Sequence, residues 1–379
     1  MSPRQRRSVP SRVAGALLRW SGRRVVIPRE TIGSQEYARR FGGVWHTAYP
    51  AAGRVSRRPA IQYGPRIADF ESAVDPVPEL GVLELKKGHV VGVEGWIVSR
   101  EGQLLPEHTW YGTHTADMEH RLRRARQPQR VVQLRGTALS LGTRSANSNY
   151  GHFLLDSVGR LALVKKAGIN MEGIDHVIGA VPNQAAMRIL QRAGVPLDRF
   201  IAATDGVSIQ PDVLLAPTFP GTRRNYQPWL VEFLRGTITA PTQAGRRLYI
   251  QRKATRRVLN EAELLPVLAG HGFELYDPSE HDDPAADFAA AAIVVGAHGA
   301  GLADLAFCRP GTCVLELIPE DHVMPYWYTV SEAGGLRYGY LIGDAHPSPL
   351  GASKSDLTVD AQDFSTALAD TVRAAESRP

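Results

Sequence analysis

The chain has 379 residues, of which 43% are hydrophobic and 22% are charged, a composition ordinary for a globular protein with room for two domains. It has only two cysteines, Cys308 and Cys313, which excludes a disulfide-rich framework and a cysteine zinc site. No apolar run is long enough to span a bilayer, and the first residues do not have the pattern of a secretory signal. The sequence therefore predicts a cytoplasmic protein.

The net charge is +6, and basic residues are dense at the start of the chain. The arginines concerned are Arg4, Arg6, Arg7, Arg12, Arg19, Arg23 and Arg24. Such a segment is expected either to contact anionic lipid at the inner face of a membrane or to remain a solvated tail. The pattern has neither interleaved aromatic residues nor a recognition helix, so no nucleic-acid partner is expected.

Alternating strand and helix patterns predict an α/β protein with two domains. We expect a basic, partly disordered segment over residues 1–79, followed by a small β meander and a first α/β domain over 80–220. Residues 221–245 are rich in Pro, Gly and Arg and are predicted to be a linker. A second α/β domain is predicted over 246–345, and residues 346–379 are predicted to be a C-terminal tail that ends in a short helix.

The first informative stretch is residues 147–166, NSNYGHFLLDSVGRLALVKK, in which apolar residues recur at helical spacing. Asn149, His152, Asp156 and Arg160 follow one another at intervals of three, four and four residues, which places them on one helical face. One interpretation is a functional face of Asn, His, Asp and Arg. The alternative is a solvated face with an ordinary Asp156–Arg160 ion pair.

The second stretch is residues 293–318, IVVGAHGAGLADLAFCRPGTCVLELI, which predicts a buried strand, a glycine loop, a short helix and another strand. A helix that begins after such a loop directs unpaired N–H groups and the positive end of its dipole at whatever lies above it. This arrangement suits a diphosphate, although an ordinary tight turn would have the same pattern.

Four motifs in this order resemble glycosyltransferase family 61, whose bacterial members are often described as capsular polysaccharide biosynthesis proteins. The motifs are SNYGHFLLDSVGRL, LYIQRKATRRVLNEAEL, IVVGAHGAGLADLAFCRPGTCVLEL and GLRYGYLIG. The resemblance implies an inverting glycosyltransferase of GT-B type, with two Rossmann-like domains that face each other across a cleft. The C-terminal domain would bind a nucleotide-sugar and the N-terminal domain a glycan acceptor, in capsule or cell-surface polysaccharide biosynthesis.

The residues themselves suggest roles that agree with this expectation. Arginine can bind phosphate oxygens through two parallel hydrogen bonds, and Arg252 and Lys253 follow directly after a predicted strand, where ligands bind in open α/β sheets. The donor-binding residues are predicted to be Arg252, Lys253, His298, Gly299, Ala300, Gly301, Leu302 and Glu316. His298 would contact a phosphate or sugar oxygen, or else hydrogen-bond the turn. Glu316 would accept from ribose hydroxyls, or else be a strand-end carboxylate in water.

Inversion requires a base that takes the proton of the acceptor hydroxyl, and the candidates are Asp156 and His152, one as the base and the other as its orienting partner. Of the two, we predict Asp156 as the base. Arg160 would keep Asp156 ionised or bind an acidic acceptor, and Asn149 would lie on the acceptor side. The chain lacks the Asp-x-Asp motif of metal-dependent GT-A enzymes, so neither a metal nor a cofactor is expected.

Two other functions compete with this interpretation. The first is a dinucleotide-dependent oxidoreductase, in which Glu316 would bind the ribose, although Gly296, Gly299 and Gly301 reverse the spacing of the dinucleotide fingerprint. The second is a non-catalytic glycan-binding protein that kept the fold.

Overall fold

The computed structural model describes residues 19–64, 70, 76–110, 116–239 and 244–377. The chain divides into two compact units. Unit 1 comprises Met1–Ala51 and Pro78–Thr222, and unit 2 comprises Ala52–Val77 and Arg223–Pro379. Within the described ranges, no helix combines the length and the apolar character needed to cross a membrane.

The strands of both units are numbered in chain order. They are β1 (Arg19–Val25), β2 (Val44–Tyr49), β3 (Ile61–Tyr63), β4 (Leu80–Lys86), β5 (His89–Val91), β6 (Trp96–Val98), β7 (Leu104–Leu105), β8 (Gln129–Ser140), β9 (His176–Gly179), β10 (Phe200–Ala202), β11 (Val207–Pro217), β12 (Arg246–Ile250), β13 (Glu274–Tyr276), β14 (Ala291–Ala297), β15 (Cys313–Pro319), β16 (Arg337–His346) and β17 (Asp356–Thr358).

The helices are numbered in the same way. They are α1 (Ser34–Phe41), α2 (Ala116–Ala125), α3 (Tyr150–His152), α4 (Arg160–Lys166), α5 (Gln184–Arg192), α6 (Pro228–Arg235), α7 (Glu261–Gly270), α8 (Pro284–Ala289), α9 (Tyr326–Ala333) and α10 (Ala361–Glu376). A π-helical segment over Phe153–Val158 joins α3 to α4. Short 3₁₀ helices include Ala300–Phe307 and Ala352–Lys354.

Unit 1 is built on a mixed sheet with the order β10-β9-β8-β11-β5-β6-β7. The strands β10, β9, β8 and β11 are parallel, as the alternating pattern predicted. The predicted meander is present as the antiparallel strands β5, β6 and β7. Strand β4, predicted as part of the meander, instead pairs with β11 and β2. It lies along the same edge of β11 as β5, because β8 occupies the opposite edge.

Unit 2 is a largely parallel sheet with the order β13-β12-β14-β15-β16-β17. Counted from β12, the five parallel strands have the order 2-1-3-4-5 of doubly wound folds, and the order reverses between β12 and β14. In such sheets ligands bind beyond the carboxyl ends of the strands at this reversal. In this chain those carboxyl ends lead directly to Arg252 and to His298.

The core of unit 2 explains why β14 and β15 are almost entirely apolar. All residues of β15 and all but one of β14 are buried, as expected for parallel strands covered on both faces. Helix α10 covers one face through Phe364, Leu368 and Val372, each of which contributes about 1.5–3 kcal/mol by burial. Its N-terminus is capped by Asp360, whose side chain accepts from two backbone N–H groups.

In two segments the observed helices and strands differ from those that the sequence predicted. Residues 346–379, predicted as a tail that ends in a short helix, contain the unpredicted strand β17 and then α10, a helix of 16 residues, and both belong to unit 2. Within 1–79, residues 1–18, 65–69 and 71–75 lie outside the described part of the chain, but the remainder includes α1 and three strands. The sequence around these N-terminal elements is rich in Gly, Pro and Arg and has no clear helical or strand periodicity. The structure of these strands therefore depends on pairing with distant strands.

Part of this N-terminal segment is built into unit 2. Strand β3 pairs in parallel with β16, and Tyr340 hydrogen-bonds Gln62 across that pair (3.3 Å). Arg57 Nη2 donates to the carbonyl oxygen of Tyr226 at 2.7 Å. Strand β3 therefore extends the unit 2 sheet beyond β16, and Arg57 links the stretch before it to Tyr226. We call the described residues 52–64 the covering segment.

Candidate functional sites

The predicted functional helix of unit 1 is present but is not a regular α-helix. Asn149 caps its start, since its side chain accepts from the backbone N–H of His152 at 3.3 Å. After α3 the helix widens into the π-helical segment, in which the N–H of Gly159 bonds the carbonyl of Leu154 five residues earlier (3.2 Å). Such π segments inside α-helices often occur at functional sites because the extra residue re-aims the side chains.

His152 and Asp156 are paired within this helix. His152 Nδ1 lies 2.7 Å from Asp156 Oδ2. The Asp156 side chain is 1% exposed and that of His152 is 12% exposed. The pair is therefore buried rather than solvated, with the imidazole as its more accessible member.

Arg160 supports the same segment from inside the protein. Its Nε–H donates to the main-chain carbonyl oxygen of Asp156 at 2.9 Å, and its guanidinium lies 5.8 Å from the ring centre of Phe219. Arg160 is fully buried, and burial lowers its pKa to about 9 against the opposing effect of the Asp156 carboxylate. The exposed Asp156–Arg160 ion pair offered as an alternative is thus wrong, because both side chains are buried and Arg160 bonds the backbone of Asp156.

Unit 2 contains a second histidine–carboxylate pair, formed across parallel strands. The β14/β15 register places Gly296 opposite Glu316, and the N–H of His298 bonds the carbonyl of Leu317 at 2.9 Å. This brings His298 Nδ1 to 2.5 Å from Glu316 Oε1. The Tyr338 hydroxyl donates to the other oxygen, Oε2. Burial and the carboxylate together raise the pKa of Tyr338 well above its ordinary value, so it stays a donor.

Glu316 consequently has a different environment from either sequence-based expectation. It is fully buried and both its oxygens accept hydrogen bonds from within unit 2. It is not a carboxylate in water, and its contacts are those of a residue that orients His298.

Arg252 lies against the glycine turn. A Cβ built on Gly299, where φ is +156°, would be 2.8 Å from Arg252 Cζ and 2.9 Å from Nη1. A side chain at this position would displace the Arg252 guanidinium from the turn, and the positive φ also disfavours residues other than glycine. Just beyond it the helix Ala300–Phe307 begins, and its first N–H groups have no partner inside the helix. Leu302 is the exception among the predicted backbone donors, since its N–H bonds the carbonyl of Gly299 at 3.0 Å.

Further basic residues converge on this turn from outside the predicted set. Arg256 is 8% exposed and donates to the carbonyl oxygen of Ser353. Two residues after Ser353, the hydroxyl of Ser355 donates to Asp321 Oδ2 at 2.6 Å. These two contacts hold Lys354 beside Arg256. Burial, then repulsion from Arg256 and Arg252, lower the pKa of Lys354.

Arg256 and His322 experience the same excess of positive charge. Burial, then repulsion from Arg252, lower the pKa of Arg256 to about 10 although Glu316 opposes this. Burial, then His298 and Arg256, lower the pKa of His322 to about 4. The His322 ring centre lies 5.5 Å from that of His298. Arg252, Arg256 and Lys354 thus form a cationic cluster, and among the described residues Arg256 Nε has no hydrogen-bond partner.

Lys253 does not join this cluster. Its ammonium group is ion-paired with Asp277 at 2.8 Å and with Glu280 at 2.5 Å, and its side chain is 60% exposed. The two acids attract it away from the turn, which argues against its predicted role in donor binding.

The structure brings most of the predicted site residues together in two groups, one in each unit. Asn149, His152, Asp156 and Arg160 come together in unit 1, and Arg252, His298, Gly299, Ala300, Gly301 and Glu316 come together in unit 2. Sequence reasoning missed Arg256, His322, Tyr338 and Lys354. Across the described ranges, no three His, Cys, Asp or Glu side chains are grouped so that they could hold a metal ion.

Comparison with known proteins gives one family match. The family model described as Glycosyltransferase 61 matches residues 150–315, which is less than half of the chain. The matched range begins at α3 and ends within β15, so it contains His152, Asp156, Arg252 and His298. No curated protein matches the chain. The match supports the resemblance to glycosyltransferase family 61 and, with it, glycosyltransferase activity.

Proposed function

We propose that the protein is a glycosyltransferase that moves a sugar from a nucleoside-diphosphate donor to a hydroxyl group of a glycan acceptor. The observation that carries this proposal is the cationic cluster of Arg252, Arg256 and Lys354 around the Gly299 turn, at the strand-order reversal of unit 2. The family match over residues 150–315 supports it independently.

The cluster suits a diphosphate better than a neutral ligand. Arg256 is buried, and Arg252 and Lys354 are partly buried beside it, so the mutual repulsion of the three cations is costly unless an anion offsets it. Guanidinium groups bind phosphate oxygens through paired hydrogen bonds, and the helix beginning at Ala300 would add N–H donors. The same groups would stabilise the negative charge that develops on the leaving diphosphate as the glycosidic bond breaks.

Unit 1 would activate the acceptor. The acceptor oxygen attacks the anomeric carbon and loses its proton to a base, while the bond from that carbon to the diphosphate oxygen breaks. Because the Asp156 side chain is 1% exposed and that of His152 is 12% exposed, we assign the contact with the hydroxyl to His152. Asp156 would then orient the imidazole and stabilise its protonated form, which reverses the sequence-based assignment.

Several finer features belong to the same proposal. The reaction would be inverting, since a single displacement needs one base, and metal-independent, since the cationic cluster supplies the positive charge. A GT-B type organisation follows from donor binding in unit 2 and acceptor activation in unit 1. A role in capsule or other cell-surface polysaccharide assembly in the cytoplasm agrees with the family resemblance.

The dinucleotide-dependent oxidoreductase is less well supported. Its one favourable feature was Glu316 as a ribose-binding acid, but both oxygens of Glu316 accept from His298 and Tyr338. A ribose hydroxyl would have to displace one of these buried bonds, at a cost of roughly 1.5–3 kcal/mol. A non-catalytic glycan-binding protein would have no need for the buried His152–Asp156 pair.

The proposal is tested by measuring thermal stability with UDP, GDP, ADP and CMP, and then turnover with the matching nucleotide-sugars. At least one nucleoside diphosphate should raise Tm, and Arg252→Met should abolish this shift. Arg247→Met is the matched control, because Arg247 pairs with Glu376 at 2.9 Å and is remote in sequence from the turn. Absence of any shift and of diphosphate release across the panel would contradict the proposal, and a shift with NADH alone would favour the oxidoreductase.

A further inference from the structure

The first strand of unit 1 presents an exposed surface that the proposed reaction does not use. Trp20 is 60% exposed and Val26, just after β1, is 48% exposed. Arg23, Arg24 and Arg130 are exposed beside them. We call these five residues the β1 surface.

Two of these arginines are placed where they repel each other. In the antiparallel β1/β8 pair, Arg24 lies directly opposite Arg130, and like charges in this position destabilise a sheet. Arg130 also lies over the Trp20 ring, with its guanidinium carbon 5.2 Å from the ring centre. Among the described residues, no carboxylate pairs with Arg23, Arg24 or Arg130. The strand therefore keeps a concentration of positive charge that folding alone does not favour.

The combination of side chains fits an anionic lipid surface. Tryptophan favours the boundary between lipid headgroups and acyl chains, and arginine is attracted to anionic headgroups within a Debye length. The chain that precedes β1 adds further arginines at positions 4, 6, 7 and 12. Only one aromatic side chain is present, whereas single-stranded nucleic acid requires several aromatic rings on which successive bases stack.

We propose that the β1 surface docks the protein on a membrane that contains anionic phospholipid. The inference stands apart from the glycosyltransferase proposal, because none of the five residues belongs to either candidate site. It gives the basic N-terminal part of the chain a function of its own.

Sedimentation of the full chain with vesicles tests this directly. We expect binding to vesicles of mixed phosphatidylcholine and phosphatidylglycerol, and none to phosphatidylcholine alone. Each surface arginine contributes about fivefold to partitioning, so Arg24→Gln with Arg130→Gln should weaken binding about 25-fold. Trp20→Ser should also weaken it, and raised ionic strength should abolish the contribution of the arginines.

The matched control removes the same charge elsewhere in unit 1. Arg39→Gln with Arg40→Gln changes two exposed arginines of α1 and should leave vesicle binding unchanged. The Arg24/Arg130 double variant relieves a repulsion, so its Tm should equal or exceed that of the original protein, which separates lost docking from lost folding. Equal vesicle binding by both double variants would overturn the proposal, as would tighter binding to an oligonucleotide that competes with the vesicles.

Discussion

Both units hold a histidine against a buried carboxylate, but they do so in different ways. In unit 1 the partners are His152 and Asp156, four residues apart on one helix and 2.7 Å apart in space. In unit 2 they are His298, directly after β14, and Glu316 on the adjacent parallel strand β15, and they are 2.5 Å apart. The first pair depends on helix geometry, whereas the second depends on strand register, so only the second requires the sheet to be fully assembled.

The charge around the two pairs also differs. Asp156 has one buried cation nearby, Arg160, so its surroundings are close to neutral. The pair of unit 2 lies next to the cluster of Arg252, Arg256 and Lys354, which repel one another. A balanced pair suits proton transfer, and an unbalanced cluster suits the binding of an anion.

The largest expected effect is on the pair of unit 1. Asp156→Asn or His152→Gln should reduce turnover by about 10²–10⁴, because either change removes the base or its orienting partner. The measurement is nucleoside-diphosphate release at saturating donor. Binding of the diphosphate, which we place in unit 2, should remain.

The retained thermal shift with diphosphate also shows that these variants fold. A loss of both turnover and diphosphate binding would contradict the separation of roles between the two units. A loss of less than about tenfold in turnover for both variants would contradict general-base catalysis by this pair.

The pair of unit 2 should be less sensitive. Glu316→Gln replaces a carboxylate that accepts two hydrogen bonds, so we expect turnover to fall roughly 10–100-fold, the value of one charged hydrogen bond. Tyr338→Phe removes one of the two bonds and leaves the charge, so its effect should be smaller. If Tyr338→Phe is the more damaging change, Glu316 is not the residue that positions His298.

The excess of positive charge in unit 2 predicts a smaller effect, which concerns the affinity for diphosphate rather than turnover. Lys354→Met should weaken diphosphate binding about fivefold to tenfold in a titration, because Lys354 is partly exposed and its attraction is screened. Lys253→Met is the control, since Lys253 already pairs with Asp277 and Glu280. A greater loss with Lys253→Met than with Lys354→Met would return the binding role to the residue that sequence reasoning chose.

The smallest effect concerns acid stability. The pKa of His322 is lowered from its ordinary 6.5 to about 4, so the folded state resists a proton that the unfolded chain accepts. Its stabilising contribution is complete above about pH 6.5 and is lost as the pH falls towards 4. When the pH is lowered from 7 to 4.5, Tm should fall for both proteins. The fall should be about 2–4 °C smaller for His322→Gln than for the original protein. Parallel Tm curves for the two proteins would contradict this.

The same comparison explains what the sequence could reveal. Helical spacing was sufficient to group His152 with Asp156 and Arg160, even though an intervening π-helical segment changes the turn. Glu316 could be singled out from the sequence, but it lies in the middle of β15 rather than at a strand end, and its contact with Tyr338 depends on a third strand.

The cations around the turn were harder to assign. Arg256 belongs to the visible basic run QRKATRR, but the sequence does not indicate which of its cations turns inward and which, like Lys253, pairs with acids. Lys354 had no signal at all, because it reaches Arg256 only through the pairing of residues 256–258 with residues 353–357. The missed residues are those whose position is fixed by tertiary contacts of long sequence separation.

The covering segment over residues 52–64 has a consequence for how the protein can be divided. Since β3 pairs with β16, a fragment that begins at residue 223 would leave the backbone N–H and C=O groups along that side of β16 unpaired. Tyr340 would also lose its contact with Gln62. Such a fragment should associate with itself, so the C-terminal half cannot serve as an autonomous donor-binding module unless residues 52–64 are supplied with it.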